Sequence, residues 1–146
     1  MVDPQNLGPQ LRNRLTYLLK HALIELDGLH HELLAPAGVS ARELAVLLLL
    51  DAREPESQQQ AAQRLGVDRT TMVALLDALE GKGLVVRSPD PTDRRRNVVE
   101  LTDHGQATLR QATRASDEAE RRLLAALDED EATQLRELLT RVATGA

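Results

Sequence analysis

Residues 57–105 read SQQQAAQRLGVDRTTMVALLDALEGKGLVVRSPDPTDRRRNVVELTDHG, and this stretch decides the fold. Ser57 and Gln60 stand at the spacing of a capping box, which opens a short helix reaching about Leu65. Gly66 follows it and suits the left-handed residue that closes a helix. Asp68 caps the next helix, whose apolar stripe is Met72, Leu75, Leu76 and Leu79, and Gly83 ends it. Ala62, Gly66 and Met72 stand at offsets of four and ten. A small residue lets the second helix cross closely, the glycine makes the turn, and the apolar residue locks the second helix onto the core; this is the pattern of a helix-turn-helix. Two strands are expected next, about Leu84–Arg87 and Val98–Leu101. The loop joining them carries three consecutive arginines, Arg94, Arg95 and Arg96.

Working outward, Leu11, Leu15, Leu18, Ala22, Leu26, Leu29 and Leu33 recur at spacings of three and four, which predicts one long helix from about Gly8 to Leu34. Pro36 and Gly38 end it. Ser40 with Glu43 forms a second capping box, and the run from Leu44 to Leu50 is apolar all round, so that helix is expected at the centre of the core. Pro55 closes the connection, and residues 54–57 are expected to form a short edge strand against the hairpin. Thr102 caps a long helix to about Leu127, and Asp128 with Glu131 caps a last one to about Val142. The fold class is mainly α with a small β-hairpin wing (α+β). Residues 40–101 are expected to form a winged helix-turn-helix lobe, and residues 1–39 with 102–146 a helical lobe.

The chain has 146 residues, 42% of them hydrophobic, with a single aromatic, Tyr17. The core must therefore be aliphatic, and the aromatic platforms that single-stranded nucleic acid needs are missing. With no cysteine, disulfides, thiolate metal sites and thiol redox sensing are excluded. No signal peptide is read in residues 1–20, and the longest apolar run is far short of the ~20 residues of a membrane span; a soluble cytoplasmic protein is expected. The net charge of −5 is unevenly placed. Between Ser57 and Arg96, seven basic residues face five acidic ones, a balance of +2, whereas between Asp117 and Glu137 three basic residues face eight acidic ones. The local field, more than the total, governs the approach of a phosphate.

The runs LGVDRTTMVALLDALEGKGLVVR and PDPTDRRRNVVELTDHG resemble the MarR family of winged-helix transcriptional regulators. The most specific parts are D-R-R at Asp93–Arg95, L-T-x-x-G at Leu101–Gly105 and L-E-x-K-G-L-V at Leu79–Val85. The resemblance runs from about Ser40 to Gly105; the terminal helices agree in pattern and length. It implies a homodimer held by the terminal helices. It also implies a regulator of neighbouring genes, usually a repressor, released by a small aromatic or anionic effector. The partner it implies is double-stranded DNA carrying a pseudo-palindromic operator.

Within that frame the residues take roles. Arg69 can reach a guanine edge or a phosphate, and Thr70 and Thr71 can bond phosphates or bases near the helix N-terminus. Val73 and Ala74 can meet a thymine methyl; the family often has a hydroxyl residue and an arginine at those two positions, so specificity here leans on Arg69 and on DNA shape. Ser57, Gln58 and Gln59 are candidates for phosphate contacts. The resemblance places Arg95 in the minor groove, oriented by Asp93, while Arg94 and Arg96 serve phosphates. An effector pocket is expected where the first, second and fifth helices meet, with Tyr17, His21 and Arg42 as its polar groups. His21, His30, His31 and His104 lack the spacing of a metal site, so no metal and no cofactor is expected. Nothing in the chain assembles a nucleophile with a base or a phosphate-cradling glycine loop, so no enzyme is expected. The alternative is a winged helix that has become a protein-interaction module and lost specific DNA binding.

Overall fold

A computed structural model describes residues 7–51 and 56–146. The chain divides into two compact units, His30–Ser116 and the pair of segments Met1–Leu29 with Asp117–Ala146. The first unit is wider than residues 40–101 because Leu34, Val39, Leu109 and Ala112 join the same core as the helix-turn-helix.

That unit holds the end of α2 (Leu15–Leu34), α3 (Ala41–Asp51), β1 (Glu56–Ser57), α4 (Gln58–Leu65), α5 (Arg69–Gly81), β2 (Val85–Pro89), β3 (Asn97–Leu101) and the start of α6 (Asp103–Leu123). The fold class is the one expected, mainly helical with an antiparallel hairpin. The sheet order is β1-β3-β2, with Ser57 opposite Val98 and Arg87 opposite Val99. Of the strand expected over residues 54–57, Glu54 and the neighbouring Pro55 lie outside the described residues.

The aliphatic core is drawn from the helices of this unit and from β2 and β3. Val46, Leu47, Ala61, Met72, Leu76 and Leu79 are fully buried, and Leu44, Leu50, Leu84, Val85 and Val99 nearly so. Burying each such Val, Leu or Met side chain stabilises by about 1.5–3 kcal/mol. Leu48 is 46% exposed, so α3 is not buried all round; its apolar run is longer than the face the core covers. Leu75 is only partly buried, at the edge of the stripe.

The turn between α4 and α5 is closed by Gly66 at φ 64°, whose N–H reaches back to Ala62 and Gln63 carbonyls, and Asp68 then caps α5 by accepting from the Thr71 N–H at 2.6 Å. A side chain at Gly66 would meet the left-handed penalty.

In the other unit the expected first helix is interrupted. It forms as α1 (Pro9–Arg12) and α2, separated at Asn13, which takes φ −101° and ψ 0°. The leucine periodicity passes through the break and gives no sign of it; Asn13 is a poor helix former that favours turns. The last helix, α7 (Glu129–Thr144), begins at the Asp128–Glu131 capping box. The α6 helix stops at Leu123, short of Leu127, in a tightened turn where Ala125 and Leu127 N–H groups reach the carbonyls of Arg122 and Leu124. Arg136 on α7 meets Glu120 on α6 at 3.3 Å.

Candidate nucleic-acid interface

Three elements of the helix-turn-helix unit converge on one cleft of about 380 Å³, lined by Ser57, Gln58, Gln59, Arg69, Arg95, Arg96 and Asn97. Six of these are residues singled out from the sequence, and they come from the start of α4, the start of α5 and the wing. Asn97 was not singled out; its place at the head of β3, directly after the arginine run, was the available signal.

The start of α4 is a complete capping box. The Ser57 N–H donates to Gln60 Oε1 at 3.0 Å and the Gln60 N–H donates to Ser57 Oγ at 3.2 Å. Ser57 is 6% exposed and its hydroxyl also donates to Gln60 Oε1. Its side chain is thus committed to the cap. The N–H groups of Gln58 and Gln59 belong to the first turn, where no intrahelical acceptor exists, and they are the ones left to meet an anion.

The wing tip is shaped by two carboxylates. Asp90 Oδ1 accepts from both the N–H and the hydroxyl of Thr92 at 2.9 Å, which lowers the Asp90 pKa. The Asp90 N–H and Arg96 carbonyl close the loop at 2.9 Å. Asp93 Oδ1 accepts the Arg95 N–H at 3.1 Å, while its approaches to the Arg95 and Arg96 guanidinium groups are long, 3.9 and 3.7 Å. Asp93 therefore fixes the backbone beneath Arg95 more firmly than the plane of its guanidinium. Arg94, Arg95 and Arg96 are all exposed.

The root of the wing explains L-T-x-x-G. The Thr102 N–H donates to the Leu84 carbonyl at 3.0 Å, the Thr102 hydroxyl donates to the Gly83 carbonyl at 2.6 Å, and the same hydroxyl oxygen accepts the Gly105 N–H at 3.0 Å. A Cβ at Gly105 would sit 2.0 Å from the Leu84 carbonyl oxygen. The glycine is needed because two backbones meet there.

On α5, Arg69, Thr70, Ala74 and Asp77 are exposed, and Thr71 and Val73 partly so, opposite the buried Met72, Leu76 and Leu79. A second groove, about 460 Å³, brings Arg42 beside Thr70, Thr71 and Ala74. Two ion-pair clusters hold this helix. At its C-terminal end Lys82 Nζ meets Glu43 Oε1 and Oε2 at 3.0 and 2.9 Å and the Gly38 carbonyl at 2.8 Å. Burial alone would raise the Glu43 carboxyl, but the bonds from the Lys82 ammonium and the Ser40 N–H outweigh it and leave the pKa lowered. On its wing side Arg87 of β2 binds Asp77, Glu80 and Gln58 at once. Donating to Glu80 and then to Asp77 raises the Arg87 pKa further, and the bond accepted from Arg87 lowers that of Glu80.

His30 Nε2 and Ser116 Oγ are 2.9 Å apart, and in the other unit the rings of Tyr17 and His21 lie 4.2 Å apart along α2. Among the described residues no group of three or more His, Cys, Asp or Glu side chains could hold a metal ion, and no single helix is long and apolar enough to cross a membrane.

Comparison with known proteins adds sequence and structural likeness. Residues 39–96 match the MarR family model. The chain is 36% identical over 107 residues to the HTH-type transcriptional regulator PecS of Dickeya dadantii, covering 71% of this chain and 64% of PecS. The matched stretch thus spans just under two thirds of that relative. Among solved structures, the transcriptional repressor CouR bound to a 23-mer DNA duplex is similar with a TM-score of 0.87 and 38% identity, covering 92% of this chain and 95% of CouR. CouR of Rhodococcus jostii RHA1 bound to p-coumaroyl-CoA gives 0.79 and 30% identity, with 93% and 96% covered.

Proposed function

The chain belongs to the MarR family, and from that premise we propose that it is a homodimeric, sequence-specific regulator of transcription, a repressor released from duplex DNA by a small effector. The observation that carries this reading is the cleft where Arg69, Arg95 and Arg96 converge with Gln58 and Gln59 at the head of α4. A chain of net charge −5 concentrates cations where a phosphate backbone would pass. In this reading α5 enters the major groove, with Thr70, Thr71, Val73 and Ala74 facing base edges and phosphates. Arg69 lies on the wing side of the helix, at the crossing to the minor groove that Arg95 enters, with Arg94 and Arg96 on phosphates. Gln58 and Gln59 hold the DNA backbone at the head of α4, which Ser57, expected to touch phosphate, instead caps. The protein works in the cytoplasm, where its DNA is, and catalyses no reaction.

The dimer reading is supported by apolar surface. Leu15, Leu19, Leu23 and Ile24 on α2 are 72%, 52%, 57% and 52% exposed, and Leu138, Leu139 and Val142 on α7 are 45%, 43% and 79% exposed. A monomer seldom leaves such rows in water; a second copy of the chain would cover them. For the effector, Tyr17 and His21, adjacent on α2, remain proposed polar groups, whereas Arg42 lines the groove beside Thr70, Thr71 and Ala74. CouR's complex with p-coumaroyl-CoA supports a ligand carrying an aromatic acyl group.

The test is footprinting of the full chain on DNA upstream of its own gene. Protection of an inverted repeat is expected, and folded protein that protects none would contradict the reading.

A further inference from the structure

We propose that Arg87 is a positioning residue for DNA recognition: it orients the Gln58 side chain as a phosphate donor and neutralises the two carboxylates of α5 that border the interface. The proposal rests on the DNA-binding reading above.

Arg87 sits on β2, one residue pair beyond the buried Val85 on the same strand face, and its side chain is 18% exposed. Its guanidinium is shared three ways. Nη2 meets Asp77 Oδ1 at 2.5 Å and Glu80 Oε1 at 3.2 Å, Nε meets Glu80 Oε2 at 3.3 Å, and Nη1 donates to Gln58 Oε1 at 3.0 Å. One cation thus joins the wing strand, the recognition helix and the head of α4.

The chemistry of the third contact sets a direction. A guanidinium has donors and no acceptor, so only the oxygen of the Gln58 amide can face it. The two N–H bonds of that amide are left over, and among the described residues no acceptor takes them. Gln58 lines the cleft with Arg69 and Arg95. What it has to offer there is the donor end, the polarity a phosphate oxygen requires. Without Arg87 the amide would turn freely, and half of its orientations would present an oxygen to an anion.

The second consequence is electrostatic. Asp77 and Glu80 are 59% and 44% exposed on the helix proposed to enter the major groove. Bare, both would repel phosphates; paired with one fixed guanidinium, they are largely cancelled. Lysine cannot replace this arrangement, because a single ammonium lacks the fork that reaches an amide and two carboxylates together.

The experiment measures DNA affinity by fluorescence anisotropy, using the full chain and a duplex from its own upstream region. Melting temperatures of the free proteins are recorded beside it. The variants are Gln58→Ala, Arg87→Lys, the double variant, and Arg95→Ala as a control on the wing. Gln58→Ala is expected to weaken binding about tenfold, the scale of one hydrogen bond to a charged group, with the melting temperature unchanged. Arg87→Lys should weaken binding at least as much, and the double variant should be no weaker than Arg87→Lys alone, because the second change removes an amide already misdirected. Multiplying losses in the double variant would overturn the proposal, since Arg87 would then be only a brace of the fold. Unchanged affinity in Gln58→Ala would overturn it as well, even if Arg87→Lys failed to fold. If the wild-type chain binds no duplex at all, the DNA-binding reading fails first, and that result is separate from either outcome.

Discussion

At the wing tip the Arg95 side chain is 96% exposed and its closest carboxylate approach is 3.9 Å, so nothing in the fold depends on its guanidinium. Replacing it with alanine should cost about 1–3 kcal/mol of DNA affinity and lower the slope of log affinity against log salt by about one, with the melting temperature unchanged. Equal losses of stability and binding would make Arg95 structural instead. Gly105 is the opposite kind of residue. Its alanine variant would place Cβ 2.0 Å from the Leu84 carbonyl oxygen, a backbone atom that cannot swing away. Gly105→Ala should destabilise by roughly 1–3 kcal/mol, as forced overpacking does, read as a lower midpoint in urea; a midpoint equal to the wild type's would contradict the close approach. Side-chain chemistry and short motifs made Arg95 and Gly105 legible from the sequence. Arg87 was only half legible. Its place on a strand could be read, but its three partners lie 7, 10 and 29 positions away, and only the crossing of β2 over α5 brings them together.

Among the elements, α5 is set by its cap at Asp68 and by the Lys82–Glu43 pair at its far end. Folding holds the Glu43 carboxyl below its ordinary value of 4.5. A carboxylate whose pKa is depressed by folding stabilises fully above its unfolded pKa, and that contribution is lost as pH falls through the lowered folded value. Stability should therefore fall below about pH 4.5. Asp68, Glu80, Asp90 and Glu118 are also held low and share that acid limb. Glu43→Gln should lose stability at pH 7 and show a shallower decline below pH 4.5 in thermal melts across the range. An acid limb as steep as that of the wild type would show that Glu43 takes no part. At this scale the capping boxes at Ser40, Ser57 and Asp128 were legible because each is a local pair of residue types three apart. The break at Asn13 and the early end of α6 were not, since the apolar period continues across both and only the backbone turns end them.

For the whole molecule, the apolar rows on α2 and α7 set the expectation that two chains associate. The wild type should sediment as a dimer at micromolar concentration. Leu23→Asp, which puts a charge into a row proposed to be covered, should shift it toward monomer and weaken DNA binding, because a charge enters an interface only at a cost of several kcal/mol. A wild type that is monomeric at that concentration would contradict the dimer. The sequence stripe named Leu11, Leu15 and Leu18 but passed over Leu19, Leu23 and Ile24, which the helix also leaves exposed. A single periodic line understates a broad face, and which side of it needs a partner depends on what the rest of the chain covers. The most direct measurement for the whole is footprinting of the full chain on its own upstream DNA. Two protected half-sites of an inverted repeat, centred about one helical turn or ~34 Å apart, are the predicted result. Folded, dimeric protein that protects no site, or covers all sequences equally, would contradict it.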